Sequence, residues 1–169
     1  MPTITILESA PVLSPLVRAA LPSGPVRLVP PGTGCDLAVL APGWKGGPLP
    51  RCRVLLTPGP GGDCPAVVRY GPSLRDTLTF SSLTDAGLVL ALQREVVTLT
   101  GVRVDRQEIP LARRGDPLDT LAWAGTLLLA GVPPEDLDAR LAPPGSGPGS
   151  CGPRPPGRGP GTGPGGRGR

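Results

Sequence analysis

The chain has 169 residues, with 26 Gly, 26 Pro, four aromatic residues (Trp44, Tyr70, Phe80 and Trp123), one Lys and no His. Without His there is no Ser-His-Asp triad, no Cys-His pair and no His-ligated metal, and without a Gly at every third position there is no collagen helix. The formal net charge of +4 belongs entirely to residues 143–169, which hold Arg154, Arg158, Arg167 and Arg169 and no acid, whereas residues 1–142 balance 13 basic against 13 acidic side chains. Residues 143–169 also contain 11 Gly and 8 Pro and no Leu, Ile, Val or aromatic side chain. Such a segment cannot bury enough apolar surface to offset its ordering entropy, so it is expected to be a disordered tail. The remaining residues, 1–142, are long enough for one domain with an aliphatic core.

The first predicted element is a strand at residues 3–7 (TITIL), rich in β-branched side chains. Ser14 followed by Pro15 predicts a helix start with Ser14 as cap, and LVRAAL continues it. Four short apolar runs bounded by Gly and Pro follow at 26–29, 36–40, 52–57 and 66–70, and are read as further strands. The segment 41–51 (APGWKGGPLPR) cannot be a helix, so the sheet is expected to be mainly parallel, Rossmann-like and helix-poor on one side. Residues 77–81, 88–92, 96–99 and 102–104 then alternate or run apolar between turns and predict an antiparallel meander. Asp116 as cap, Pro117 at the first helical position and Gly131 beyond the end define a helix over 117–130, with a short acid-started helix over 134–141. The 117–130 helix is apolar nearly all round. It should therefore be buried on two sides, or on one with a partner on Trp123 and Leu127, which would also provide a surface for a homo-oligomer. The fold class is thus α/β, with a parallel sheet, a meander and a buried helix.

No run of residues is long and apolar enough for a membrane span, and MPTITILESAPVL lacks a basic start and carries Glu8, so a cytoplasmic protein is expected. Cys35, Cys52, Cys64 and Cys151 form no C-x-x-C pair and are expected to be reduced thiols, a disulfide or metal role being the alternative.

Sites of chemistry are few. No phosphate loop of the form GxxxxGK[ST] is present; the nearest glycine runs place Gly32, Gly34, Gly61 and Gly62 as the candidates for cofactor binding, and ordinary turn chemistry is the competing reading. Asp36, Asp63, Asp76, Asp105 and Asp116 form no metal or paired-carboxylate pattern, so no catalytic residue, metal or cofactor is assigned. Gln93, Arg94 and Glu95 interrupt two apolar runs and are read as a polar cluster lining a cleft or as a bulge or bend. The Arg and Gly of the tail allow weak contact with nucleic acid, without stacking aromatics.

Part of the chain resembles a known family. Val67-Val68-Arg69-Tyr70-Gly71, Asp76, Ile109-Pro110-Leu111, Gly115, Ala122, Ala124 and Gly131-Val132-Pro133 are similar to the second half of the central domain of the Mur ligases. The family's segment G-x-H-N-x-x-N-x-x-A-A falls here on residues 115–125, with Pro117 at the His position and Leu118 and Leu121 at the two Asn positions. The family's ATP loop and C-terminal domain have no counterpart in these residues. The resemblance therefore implies a shared scaffold without the activity. The expectation is a non-catalytic binding or scaffold module, similar to a degenerate Mur ligase central domain. Its partner would be a protein or small ligand at the carboxyl edge of the strands, near 30–35 and 58–64. A nucleotide-binding enzyme with an unrecognised site, and a nucleic-acid accessory acting through the tail, are the alternatives.

Overall fold

Five short strands supply the main sheet: β1 (Thr3–Leu7), β2 (Arg27–Leu28), β3 (Cys35–Leu40), β4 (Cys52–Thr57) and β5 (Ala66–Arg69). They lie in the order β2-β1-β3-β4-β5, and every pairing is parallel. The computed structural model describes residues 1–21, 24, 26–112 and 115–141; the tail assigned to 143–169, with Cys151, lies outside the described residues. Only the β1–β2 connection holds a helix, α1 (Leu13–Ala20). The other three crossovers, 29–34, 41–51 and 58–65, are irregular. On one face Ile4, Ile6, Leu37, Val39 and Leu56 meet the helices; on the other, Leu7, Ala38, Leu40 and Leu55 are covered by Val29, Trp44 and Cys64 from those irregular crossovers. The sheet is helix-poor on one side, as its Gly and Pro content requires.

A second sheet is antiparallel. It contains β6 (Leu78–Leu83), β7 (Gly87–Leu92) and β10 (Gln107–Ala112) in the order β10-β7-β6, with a bulge between Phe80 and Ser82. β8 (Val96–Val97) and β9 (Arg103–Val104) form a separate hairpin. The expected continuous meander is corrected here: the second neighbour of β7 is β10, which sequence patterning missed. Sequence patterning assigns residues 107–112 to no element; Pro110 is accommodated there because β10 is an edge strand, where a missing N–H is tolerated.

The start of α1 is also corrected. The helix begins at Leu13, and Ser14 is not its cap. Pro15 sits in the first turn, where its missing N–H would have had no helical partner in any case. α2 (Pro117–Ala130) follows its sequence signals closely. The Asp116 carboxylate accepts the Leu118 N–H at 2.8 Å, and Gly131 ends the helix at φ +101°. A short 3-10 turn (Pro134–Asp136) and α3 (Leu137–Leu141) complete the chain of elements.

α2 is the centre of the core, buried at every position from Thr120 to Ala130. Its two threonine hydroxyls bond within the helix: Thr120 to the Asp116 carbonyl at 3.2 Å and Thr126 to the Ala122 carbonyl at 2.6 Å. The helix contacts α1, β3 and β4 of the parallel layer, β6 of the antiparallel layer, and α3. Trp123 and Leu127 are therefore not a partner surface, because at 5% and 0% exposure the chain's own core covers them. The two sheets come together on this helix at Gly125. A Cβ there would stand 2.7 Å from a Leu78 methyl of β6 and 3.2 Å from a Leu56 methyl of β4. Gly125→Leu should therefore overpack the junction and cost about 1–3 kcal/mol or more, measured as a fall in the urea midpoint at unchanged slope.

Candidate functional site

In a parallel sheet of this order, β1 and β3 are neighbours whose outgoing connections leave on opposite faces. Ligands of such sheets usually sit in the crevice this creates at the strand carboxyl ends, with anionic groups on the helix N-terminus after β1. Here the chain itself fills that position. One Glu8 oxygen accepts the Val12 N–H at 2.9 Å and the Leu13 N–H at 2.7 Å, and the other accepts the Ser14 N–H at 3.2 Å and the Ser14 hydroxyl. The carboxylate thus satisfies the orphan donors of α1 and meets the positive end of its dipole. Ser9 closes the crevice beside it. Its hydroxyl donates to the Gly43 carbonyl at 3.2 Å and accepts the Lys45 backbone N–H at 3.2 Å, joining the loops that follow β1 and β3.

Further along the same edge, Tyr70 is fully buried, and its hydroxyl donates to the Leu40 carbonyl at 2.6 Å. Burial, with a contribution from the nearby Asp119 carboxylate, pushes the phenol's pKa up. Asp119, in the first turn of α2, is itself pushed up, first by burial and then by Asp116. The phenol is held by a carbonyl, and burial favours the protonated form of the Asp119 carboxyl.

The candidate glycines occupy two different crossovers, each leading into a strand and not into a helix. Gly32 lies in a turn at φ +98°, Gly34 leads into β3, and Gly61 and Gly62 pack beside Val67 and Leu49. None of the four therefore aims backbone N–H groups from a helix N-terminus, as a phosphate cradle would. The segments 30–34 and 58–64 start at the carboxyl edge but cross the sheet to its opposite edge, so the expected ligand position is not formed by them as a unit.

A cleft of about 670 Å³ lies at the amino ends of β4 and β5. Val54, Ala66 and Val68 form one wall, and Val96, Leu99 and the hairpin turn form the other. The hairpin wall is fixed to α2 by the Leu99 N–H, which donates to the Leu129 carbonyl at 2.7 Å. Arg94 and Glu95 are among the residues around this cleft; Gln93 continues the β6–β7 pairing, its N–H donating to the Thr77 carbonyl at 2.8 Å. Glu95 is paired with Arg103 at 2.9 Å, and Arg53 at the opposite side reaches Asp36 at 3.4 Å. The Thr3 N–H and hydroxyl hold Asp36 at 2.9 and 3.1 Å, which with Arg53 lowers its pKa. Arg94 makes no ion pair among the described residues. The cleft thus combines apolar walls with guanidinium groups at its rim. Sequence reading missed its walls because Val54, Val68 and Leu99 look like ordinary strand residues, and only the polar 93–95 triplet marked it.

Comparison with family models, with curated proteins and with solved structures gives no match. Among the described residues, no helix is long and apolar enough to cross a membrane, and no group of His, Cys, Asp and Glu could hold a metal ion.

Removal of the internal anion should be costly. Glu8→Ala is expected to lower stability by about 1–2 kcal/mol, read from chemical denaturation. Asp119 gives a pH test. A raised folded-state pKa means the folded chain holds its proton more tightly than the unfolded chain, so stability is lost as pH rises through that pKa. Asp119→Asn should therefore melt about 1–3 °C above the parent at pH 7, with the difference vanishing on acidification below the ordinary Asp range.

Proposed function

We propose that this chain is a non-catalytic binding or scaffold module, similar to a Mur ligase central domain that has lost its nucleotide chemistry. The occupancy of the α1 N-terminus by Glu8 carries this reading. An incoming phosphate would have to displace a carboxylate that is already hydrogen-bonded and covalently tethered, and would then face its negative charge. Pro117, Leu118 and Leu121 remove the polar groups that the resemblance would require on α2. The direct test is thermal melting with millimolar ATP, a UDP-sugar and Mg²⁺, singly and together. The expected result is no shift; a saturable rise of several degrees would overturn the reading.

The amino-edge cleft is the better place for a ligand. Its apolar walls and the Arg94 and Arg53 guanidiniums suit a small molecule or protein segment with an apolar body and an anionic end. Anilinonaphthalene sulfonate has that chemistry. It should bind the folded chain at one saturable site, and Arg53→Glu with Arg94→Glu should weaken it about tenfold or more; unchanged affinity would remove the cleft from this proposal.

A further inference from the structure

Three cysteines that are well separated in sequence gather at the amino edge of the parallel sheet. Cys35 opens β3 and Cys52 opens β4, directly opposite each other in the register, and Cys64 lies two residues before β5. Their thiols do not behave alike. Cys35 is buried, is hydrogen-bonded to Thr5 of β1 and packs in the same cluster as the other two. The sulfurs of Cys52 and Cys64 face each other at 3.2 Å, across 12 residues of sequence, and both residues are half-buried. A pocket of about 270 Å³ opens on this pair, lined also by Leu49, Pro50, Arg51 and Asp63.

We infer that Cys52 and Cys64 form a reversible dithiol–disulfide site, oxidised by low-molecular-weight disulfides that reach it through this pocket. The sulfurs need to close by only about 1.2 Å to reach bonding distance, a movement within the range of side-chain rotation. Burial first, and then the hydrogen-bonded Cys64, push the Cys52 thiol up, which favours Cys64 as the first nucleophile. The Cys64 thiolate attacks one sulfur of the oxidant; that S–S bond breaks and one small thiolate leaves. Cys52 then loses its proton and attacks the Cys64 sulfur, expelling the second small thiol. Two electrons pass from the protein to the oxidant, and two small thiols are the product. Formation of the mixed disulfide removes the Cys64 hydrogen bond and charge that help hold Cys52 protonated, which favours the second step.

The bond would anchor the 58–65 crossover to the first residue of β4. Pro65 and Ala66, which follow Cys64, are part of the wall of the large cleft. Oxidation therefore fixes that wall as well as the loop cover of the outer face.

The test uses the full chain, Cys151 included, incubated with glutathione disulfide and mapped by trypsin without reduction. Cleavage after Arg51, Arg53 and Arg69 leaves Cys52 on a dipeptide and Cys64 on the peptide 54–69. The expected product is these two peptides joined, two hydrogens lighter than their sum, and separated by dithiothreitol. The oxidised chain should melt about 5 °C or more above the reduced chain. Cys52→Ser should trap glutathione on Cys64, whereas Cys64→Ser should leave Cys52 unmodified. An oxidised wild-type chain in which Cys52 and Cys64 both remain open to alkylation, or in which Cys52 is joined to Cys35 or Cys151, overturns the inference.

Discussion

The absence of one side chain, at Gly125, lets two sheets share one helix. Leu56 comes to that position from the parallel sheet and Leu78 from the antiparallel one, and a Cβ at Gly125 would press on methyl groups of both. Glycine in a helix interior costs about 1 kcal/mol relative to alanine, so its presence there needs a packing reason. The reason is that α2 has no solvent face to spare. From Thr120 to Ala130 it is enclosed, and its C-terminus also holds the hairpin through the Leu129 carbonyl. A change in the seating of α2 would move both sheets and one wall of the large cleft together.

That arrangement leaves the two edges of the parallel sheet unequal. At the carboxyl edge the chain has used its own groups: Glu8 on the helix N-terminus, Ser9 between two loops, and the Tyr70 hydroxyl on the Leu40 carbonyl. The Glu8 carboxylate is tethered a few residues from the donors it meets, so its effective concentration is far above that of any free anion. The amino edge is open by comparison. β5 is the last strand and no helix follows it, so the space beside Val68 is bounded by a two-stranded hairpin and left as a cleft. The three gathered cysteines occupy the same edge.

Some of this was legible in the residues alone. Asp116, Pro117 and Gly131 marked α2 because each acts through local backbone geometry, and TITIL and CRVLLT marked strands because an entire short run is apolar or β-branched. The capping of α1 was not legible in the same way. Ser14 before Pro15 looked like the local signal, while the group that caps the helix is Glu8, five residues before Leu13. β10 holds Pro110, whose tolerance depends on its being at an edge, which is a tertiary fact. Trp123 and Leu127 read equally well as surface or core, and only the second sheet decides between them. The pairing of Cys52 with Cys64 had no signature in their spacing. It follows from topology: in a parallel crossover the chain leaves at the carboxyl edge and crosses back to the amino edge, so the start of one strand lands beside the start of the next.

The same topology explains the Gly and Pro of the folded part. A parallel crossover is ordinarily built with a helix, and here three crossovers of 6 to 11 residues return without one. They must lie close against the sheet to cover Leu7, Ala38, Leu40 and Leu55, and close approach is what glycine permits. At Gly61 a Cβ would fall 2.5 Å from a Val67 methyl, and at Gly62 it would meet Leu49 at 3.4 Å. Pro at intervals restricts the unfolded chain and so lowers the entropic cost of ordering loops that have no ladder of hydrogen bonds. Loops held mainly by packing and φ restriction are also where a covalent tie adds most. A thiol pair at the foot of the 58–65 crossover is therefore placed where its oxidation state has the greatest mechanical consequence for the cover of the sheet.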